Sequence, residues 1–148
     1  MKRLLLMLAL IPGLFLLSSC KKESKEDVTY YLAFYQDGDY VKSENSAITT
    51  EIKTLVKETV DSWKKDYKLH WEADPGRSQS AQDAEAVQYM EDAYTSFSKV
   101  AVDLRKEILK LDSKVVLTLS WTFEAMRDKT RLSTSRKVEI LNGDQTIK

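Results

Sequence analysis

The chain predicts an α+β fold: a two-layer sandwich with two helices packed on one face of a four-stranded mixed sheet, in the order β-α-β-α-β-β. Three observations carry this. Two long stretches place apolar residues at helical spacing. Four shorter stretches alternate apolar and polar residues with a period of two. Each long stretch is set between two of the alternating ones, and polar or turn-forming residues separate most of them.

The first strand is expected over Val28 to Gln36, where Val28, Tyr30, Leu32 and Phe34 alternate with Thr29, Tyr31, Ala33 and Tyr35. Both sets are partly apolar, which suits a strand inside a sheet. Asp37-Gly38-Asp39 then reads as a break. Ser43 to Ser46 supplies N-cap residues for a helix from about Ala47 to Asp66, whose apolar face is Ile48, Ile52, Leu55, Val56, Val60, Trp63 and Tyr67. The period changes to two over Tyr67 to Ala73, which is either a second strand or the last turns of that helix.

Asp74-Pro75-Gly76-Arg77 is a turn, and Ser78 to Ser80 leads into a long helix from about Ala81 to Leu111. Val87, Met90, Tyr94, Phe97, Ala101, Leu104, Ile108 and Leu111 recur at spacings of three and four, an a/d seam. Ala86, Ala93 and Val100 widen that seam, and a wide stripe suits packing on a sheet of the same domain better than a partner helix.

Val115 to Glu124 is the clearest strand, with Val115, Leu117, Leu119, Trp121 and Phe123 on one side. Arg127-Asp128-Lys129 reads as a hairpin loop, and Leu132 to Ile140 as a more polar edge strand ended by Asn142-Gly143. Right-handed crossovers would place both helices on one side of the sheet. The expected organisation is one domain over residues 28–141 and a frayed tail over 142–148.

The N-terminus carries an address. Lys2 and Arg3 precede an apolar run from Leu4 to Leu17, then Ser18, Ser19 and Cys20. The run is shorter than the roughly 20 apolar residues that cross a bilayer, and Pro12 and Gly13 interrupt it. This segment resembles a bacterial lipoprotein signal peptide with its lipobox. The resemblance implies cleavage between Ser19 and Cys20, removal of residues 1–19, and attachment of a diacylglycerol, often with a third chain such as palmitate, to Cys20. Two or more chains give stable anchoring where one does not. Cys20 is the only cysteine, so acylation also removes an unpaired thiol from an oxidising compartment. Residues 20–27 would form the lipidated cysteine and a charged tether. In a Gram-negative envelope, Lys21 in place of Asp after the cysteine implies the outer membrane, on its periplasmic or surface side.

Composition restricts the function. With Lys2 and Arg3 removed, the 23 basic residues become 21 against 23 acidic ones, a net charge of −2, which disfavours nucleic acid as a partner. No P-loop, dinucleotide fingerprint or nucleophile elbow occurs, four glycines leave little for phosphate cradles, and no cofactor is implied. Serine catalysis would depend on the single histidine, His70. His70, Glu72 and Asp74 share a spacing that puts three potential ligands on one side of a strand, yet with one imidazole and a turn at Asp74 no metal is expected.

If the strong apolar row of each strand meets the helices, the opposite sheet face presents Tyr31, Tyr35, His70, Glu72, Thr118, Ser120 and Thr122. Hydroxyls edged by aromatic rings make this the candidate binding face, for an envelope protein or a glycan. The expectation is a non-enzymatic, lipid-anchored envelope protein that binds a partner protein or envelope polymer. The alternatives are a small-molecule or metal-binding lipoprotein and an envelope hydrolase of unrecognised type.

Overall fold

The computed structural model describes residues 28–141. The expected signal peptide and cleavage site, Cys20, the expected tether and the tail beyond residue 141 lie outside the described residues. Within them the chain is α+β, with an open antiparallel sheet of five strands and two helices. In chain order these are β1 (Thr29–Lys42), α1 (Ser46–Lys64), β2 (His70–Glu72), α2 (Gln79–Leu111), β3 (Val116–Arg127), β4 (Thr130–Arg131) and β5 (Arg136–Leu141). The sheet runs β2-β1-β3, and β4 and β5 both pair with β3.

Every pairing is antiparallel, which corrects the expected mixed sheet. The reason is length. The 14 residues of β1 span about 46 Å, whereas the 19 residues of α1 return only about 28 Å. The chain therefore leaves α1 short of the base of β1. It covers the remainder in extended form, still moving in the direction of α1, so β2 meets Thr29 to Tyr31 antiparallel. Helix α2, with 33 residues and about 50 Å, then spans the whole sheet and delivers the chain to the start of β3 beside Lys42. The ambiguous segment Tyr67–Ala73 is resolved in the same way: α1 ends at Lys64 and only His70–Glu72 pairs as a strand.

Local chemistry sets the ends. Asn45 caps α1 by accepting from the Ala47 N–H at 2.9 Å, and Ser78 caps α2 by accepting from the Ala81 N–H at 3.2 Å. Buried Gln82 closes the Asp74–Arg77 turn on α2, accepting from the Asp74 N–H and donating to the carbonyls of Asp74 and Arg77. Asp128 adopts a positive φ of 52° in the β3–β4 hairpin, a conformation that Asp tolerates better than most residues. Its backbone N–H donates to the Thr29 carbonyl at 2.8 Å and its carboxylate accepts from the Thr29 N–H at 3.0 Å, so this hairpin is tied to the first residue of β1.

The core is one cluster. Tyr30, Leu32 and Val41 of β1, Leu117 to Ala125 on alternate positions of β3, and Val138 and Ile140 of β5 are buried with Ile52, Val56 and Trp63 of α1. Helix α2 contributes Ala86, Met90, Ala93, Phe97, Ala101, Leu104 and Ile108. The widened stripe is thus where α2 meets the rest of the domain. Rings bind the elements together: Phe34, Trp63, Phe97 and Phe123 lie with centroids 4.9–6.0 Å apart, and Phe97 also meets Trp121 at 5.0 Å. Among the described residues no helix is long and apolar enough to cross a membrane.

Candidate functional site

The Asp37-Gly38-Asp39 segment does not end the first strand, as its composition predicts. It is a β-bulge inside β1, where the pairing with β3 shifts between Gln36 and Gly38. One extra residue reverses the alternation of faces. Tyr31 and Tyr35 are opposite Met126 and Thr122, and beyond the bulge Tyr40 is opposite Thr118. Residues 35 and 40 would face opposite ways in an unbroken strand. The bulge brings Tyr40 onto the face of Tyr31 and Tyr35, the face that Leu32, Val41, Leu119 and Trp121 leave.

The bulge is held by its own charge. Asp37 accepts from the Ser120 hydroxyl at 2.7 Å and from the Thr122 hydroxyl at 2.8 Å, and Lys137 Nζ lies 3.4 Å from the same carboxylate. The Ser120 bond, with those from Thr122 and Lys137, holds the Asp37 carboxyl below the usual range. Gly38 is needed for closeness. A Cβ there would stand 2.5 Å from Ser120 Oγ and 3.2 Å from its backbone N.

The candidate face is therefore assembled in a different way from its expectation. Ser120 and Thr122 are on it, but at 6% and 5% exposure their hydroxyls serve Asp37 rather than solvent. Thr118 is exposed beside Tyr40. Tyr35 and Tyr40 are 46% and 51% exposed, among the largest exposed apolar side chains. Tyr31 is half-buried, and its ring stacks on that of His70 at 5.4 Å and 21°. His70 and Glu72 are exposed on β2 at the edge of the same face. Toward β4, Glu124 pairs with Arg131 at 3.6 Å, which makes this carboxylate one of a rim ion pair.

Tyr40, Asp37 and Lys137 are the residues of this face that the sequence reading missed. The available signal was Gly38 between two apolar alternations, since glycine within a strand marks a bulge or a close backbone approach. His70, Glu72 and Asp74 are not drawn together as metal ligands, and no group of three such side chains occurs among the described residues. Asp74 instead accepts from the Gly76 N–H at 2.9 Å in its turn. The serine and the histidine are also separately engaged, Ser120 with Asp37 and His70 with Tyr31.

A second polar cluster lies at the base of the sheet. The Tyr30 hydroxyl donates to Asp83 at 2.7 Å, and Arg127 pairs with the other oxygen of Asp83. Burial, with the hydrogen bond to Asp83, pushes the Tyr30 phenol up to about 12. This cluster joins β1, α2 and β3 and is structural.

Comparison with protein-family models, with curated proteins and with solved structures gave no match.

Proposed function

We propose that this chain is a lipid-anchored, non-enzymatic protein of the bacterial envelope that binds a partner protein or an envelope polymer through the open face of its sheet. The observation that carries the reading is the face itself. Tyr31, Tyr35 and Tyr40 are brought to one side of β1 by a bulge pinned with three polar contacts. Bulges re-aim side chains, and exposed tyrosines on a rigid strand give large contact area at low entropic cost. Both helices lie on the opposite face, which makes the domain a two-layer sandwich whose second sheet face is covered by no third layer among the described residues. The ring contacts of Trp63 and Phe97 with Phe34 and Phe123 support that arrangement.

The anchor would be acylated Cys20. Val28 and the β3–β4 hairpin sit at one end of the sheet, so a tether of residues 20–27 would hold that end nearest the membrane. Lys21 favours the outer membrane in a Gram-negative host.

Two experiments test the reading separately. Cys20→Ala should release the protein from the membrane fraction; unchanged fractionation would refute the anchor. Affinity capture of the full chain from native envelopes after chemical cross-linking should recover one dominant partner. Tyr35→Ser with Tyr40→Ser should abolish it at unchanged stability. Capture that survives this pair of substitutions would place binding elsewhere.

A further inference from the structure

At the base of the domain, on the helix side of β2, Lys68, Trp71, Glu72, Glu85 and Tyr89 line a cleft of about 400 Å³ between β2 and α2. Its volume is in the range of small-ligand sites. We infer that this cleft is a saccharide site, taking a neutral oligosaccharide against the Trp71 and Tyr89 rings. The cleft shares only Glu72 with the edge of the tyrosine face, and the inference does not rest on Tyr35 or Tyr40.

The walls are held from both elements. Trp71 is opposite Tyr30 in the sheet, and the Tyr89 ring meets its indole edge to face at 5.3 Å and 72°. The Tyr89 hydroxyl accepts from the Lys68 N–H at 2.7 Å, which fixes the strand entry against the helix. Glu85 is gripped at both oxygens by Arg77, at 2.6 and 2.7 Å. The ring pair and the Arg77–Glu85 fork are therefore oriented before any ligand arrives.

The lining selects the ligand class. Lys68 balances Glu72, and Arg77, beside the cleft, pairs with Glu85, so the cleft offers little net charge to draw an ion of either sign. Its charged groups nevertheless supply donors and acceptors together. A purely apolar ligand would strip water from them without replacing its hydrogen bonds. A sugar ring meets both demands, with C–H faces for the aromatic walls and hydroxyls that donate to carboxylates and accept from the ammonium.

The protein carries its own reporter. Trp63 and Trp121 are 5% and 0% exposed, whereas Trp71 is half-exposed in the cleft. Acrylamide should thus quench chiefly Trp71. The full chain would be titrated with cellotetraose, maltotetraose and tetraacetylchitotetraose, following fluorescence and saturation-transfer NMR. At least one should bind saturably below about 10 mM and shield Trp71 from quenching. Lys68→Met with Glu72→Gln, both at the rim, should weaken it about tenfold without changing the melting temperature. Trp71→Phe should remove the fluorescence response. No saturation transfer from any of the three at about 10 mM, or binding unchanged in the Lys68→Met/Glu72→Gln protein, would overturn the inference.

Discussion

Gly38→Ala is the most informative single perturbation of the bulge. The φ of Gly38 is outside the left-handed region, so the cost is steric rather than torsional. The new methyl would sit 2.5 Å from Ser120 Oγ. The hydroxyl can turn away only by surrendering its 2.7 Å bond to Asp37, and a bond to a charged group contributes about 1.5–3 kcal/mol. The contact with the Ser120 backbone N at 3.2 Å cannot turn, and adds about 1 kcal/mol of overpacking. Reduced entropy of the unfolded chain returns about 0.4–1 kcal/mol. The net expectation is a loss of about 1.5–3.5 kcal/mol, measured by urea denaturation. The same substitution made on a Ser120→Ala background should cost at most about 0.6 kcal/mol, since the colliding oxygen is gone. The cycle should therefore give a coupling of about 1.5–3 kcal/mol. Additivity within about 0.5 kcal/mol would refute the claim that Gly38 exists to admit the Ser120 hydroxyl.

Other consequences can be read from the same contacts. The folded Asp37 carboxyl ionises below its ordinary value near 3.9, so its stabilisation is present above that pH and is lost as pH falls through the depressed value. Asp37→Asn should flatten the acid limb of a stability–pH curve below about pH 4 and should leave the alkaline limb unchanged. Tyr30 is shifted in the opposite sense. Its stabilisation holds below the ordinary phenol value near 10 and declines as pH rises toward about 12, so Tyr30→Phe should remove that alkaline dependence. At neutral pH the same variant should lose about 1.5–3 kcal/mol with the Asp83 hydrogen bond, read by chemical denaturation. The Trp121 indole N–H is buried with no partner among the described residues, an uncompensated cost of about 1–3 kcal/mol. Trp121→Phe removes that cost while opening a small void, so thermal denaturation should find it within about 1 kcal/mol of the parent, far from the usual penalty for shrinking a core aromatic.

Periodicity made most elements legible. The α2 stripe from Ala86 to Ile108 is buried as its spacing demands, and Leu117 to Phe123 face the core as their alternation demands. Strand direction was not legible, because it depended on comparing the reach of α1 with that of β1. That comparison failed once β1 was cut at Gln36 instead of Lys42. The same cut hid Tyr40. Read as a turn, Asp37-Gly38-Asp39 separates Tyr40 from the sheet; as a bulge, it adds Tyr40 to the face of Tyr35. Ser120 and Thr122 were placed on the correct row, but their burial arises from Asp37, more than 80 residues away in the chain, a contact that no local pattern encodes. The edge strand broke into β4 and β5 because the chain leaves β3 over Ser133 to Ser135, after a last backbone bond from the Leu132 N–H to the Ala125 carbonyl at 2.8 Å.

The central claim is that the tyrosine face of the sheet is where this protein meets its partner. Its most direct test is site-specific photo-cross-linking in native envelopes, with a benzophenone side chain placed at Tyr35, at Tyr40 and, as a control on the helical side, at exposed Lys57. A single dominant adduct from positions 35 and 40, absent from position 57, is the expected result. The claim would be contradicted by an adduct from position 57 alone, or by the same adducts in equal yield from all three positions.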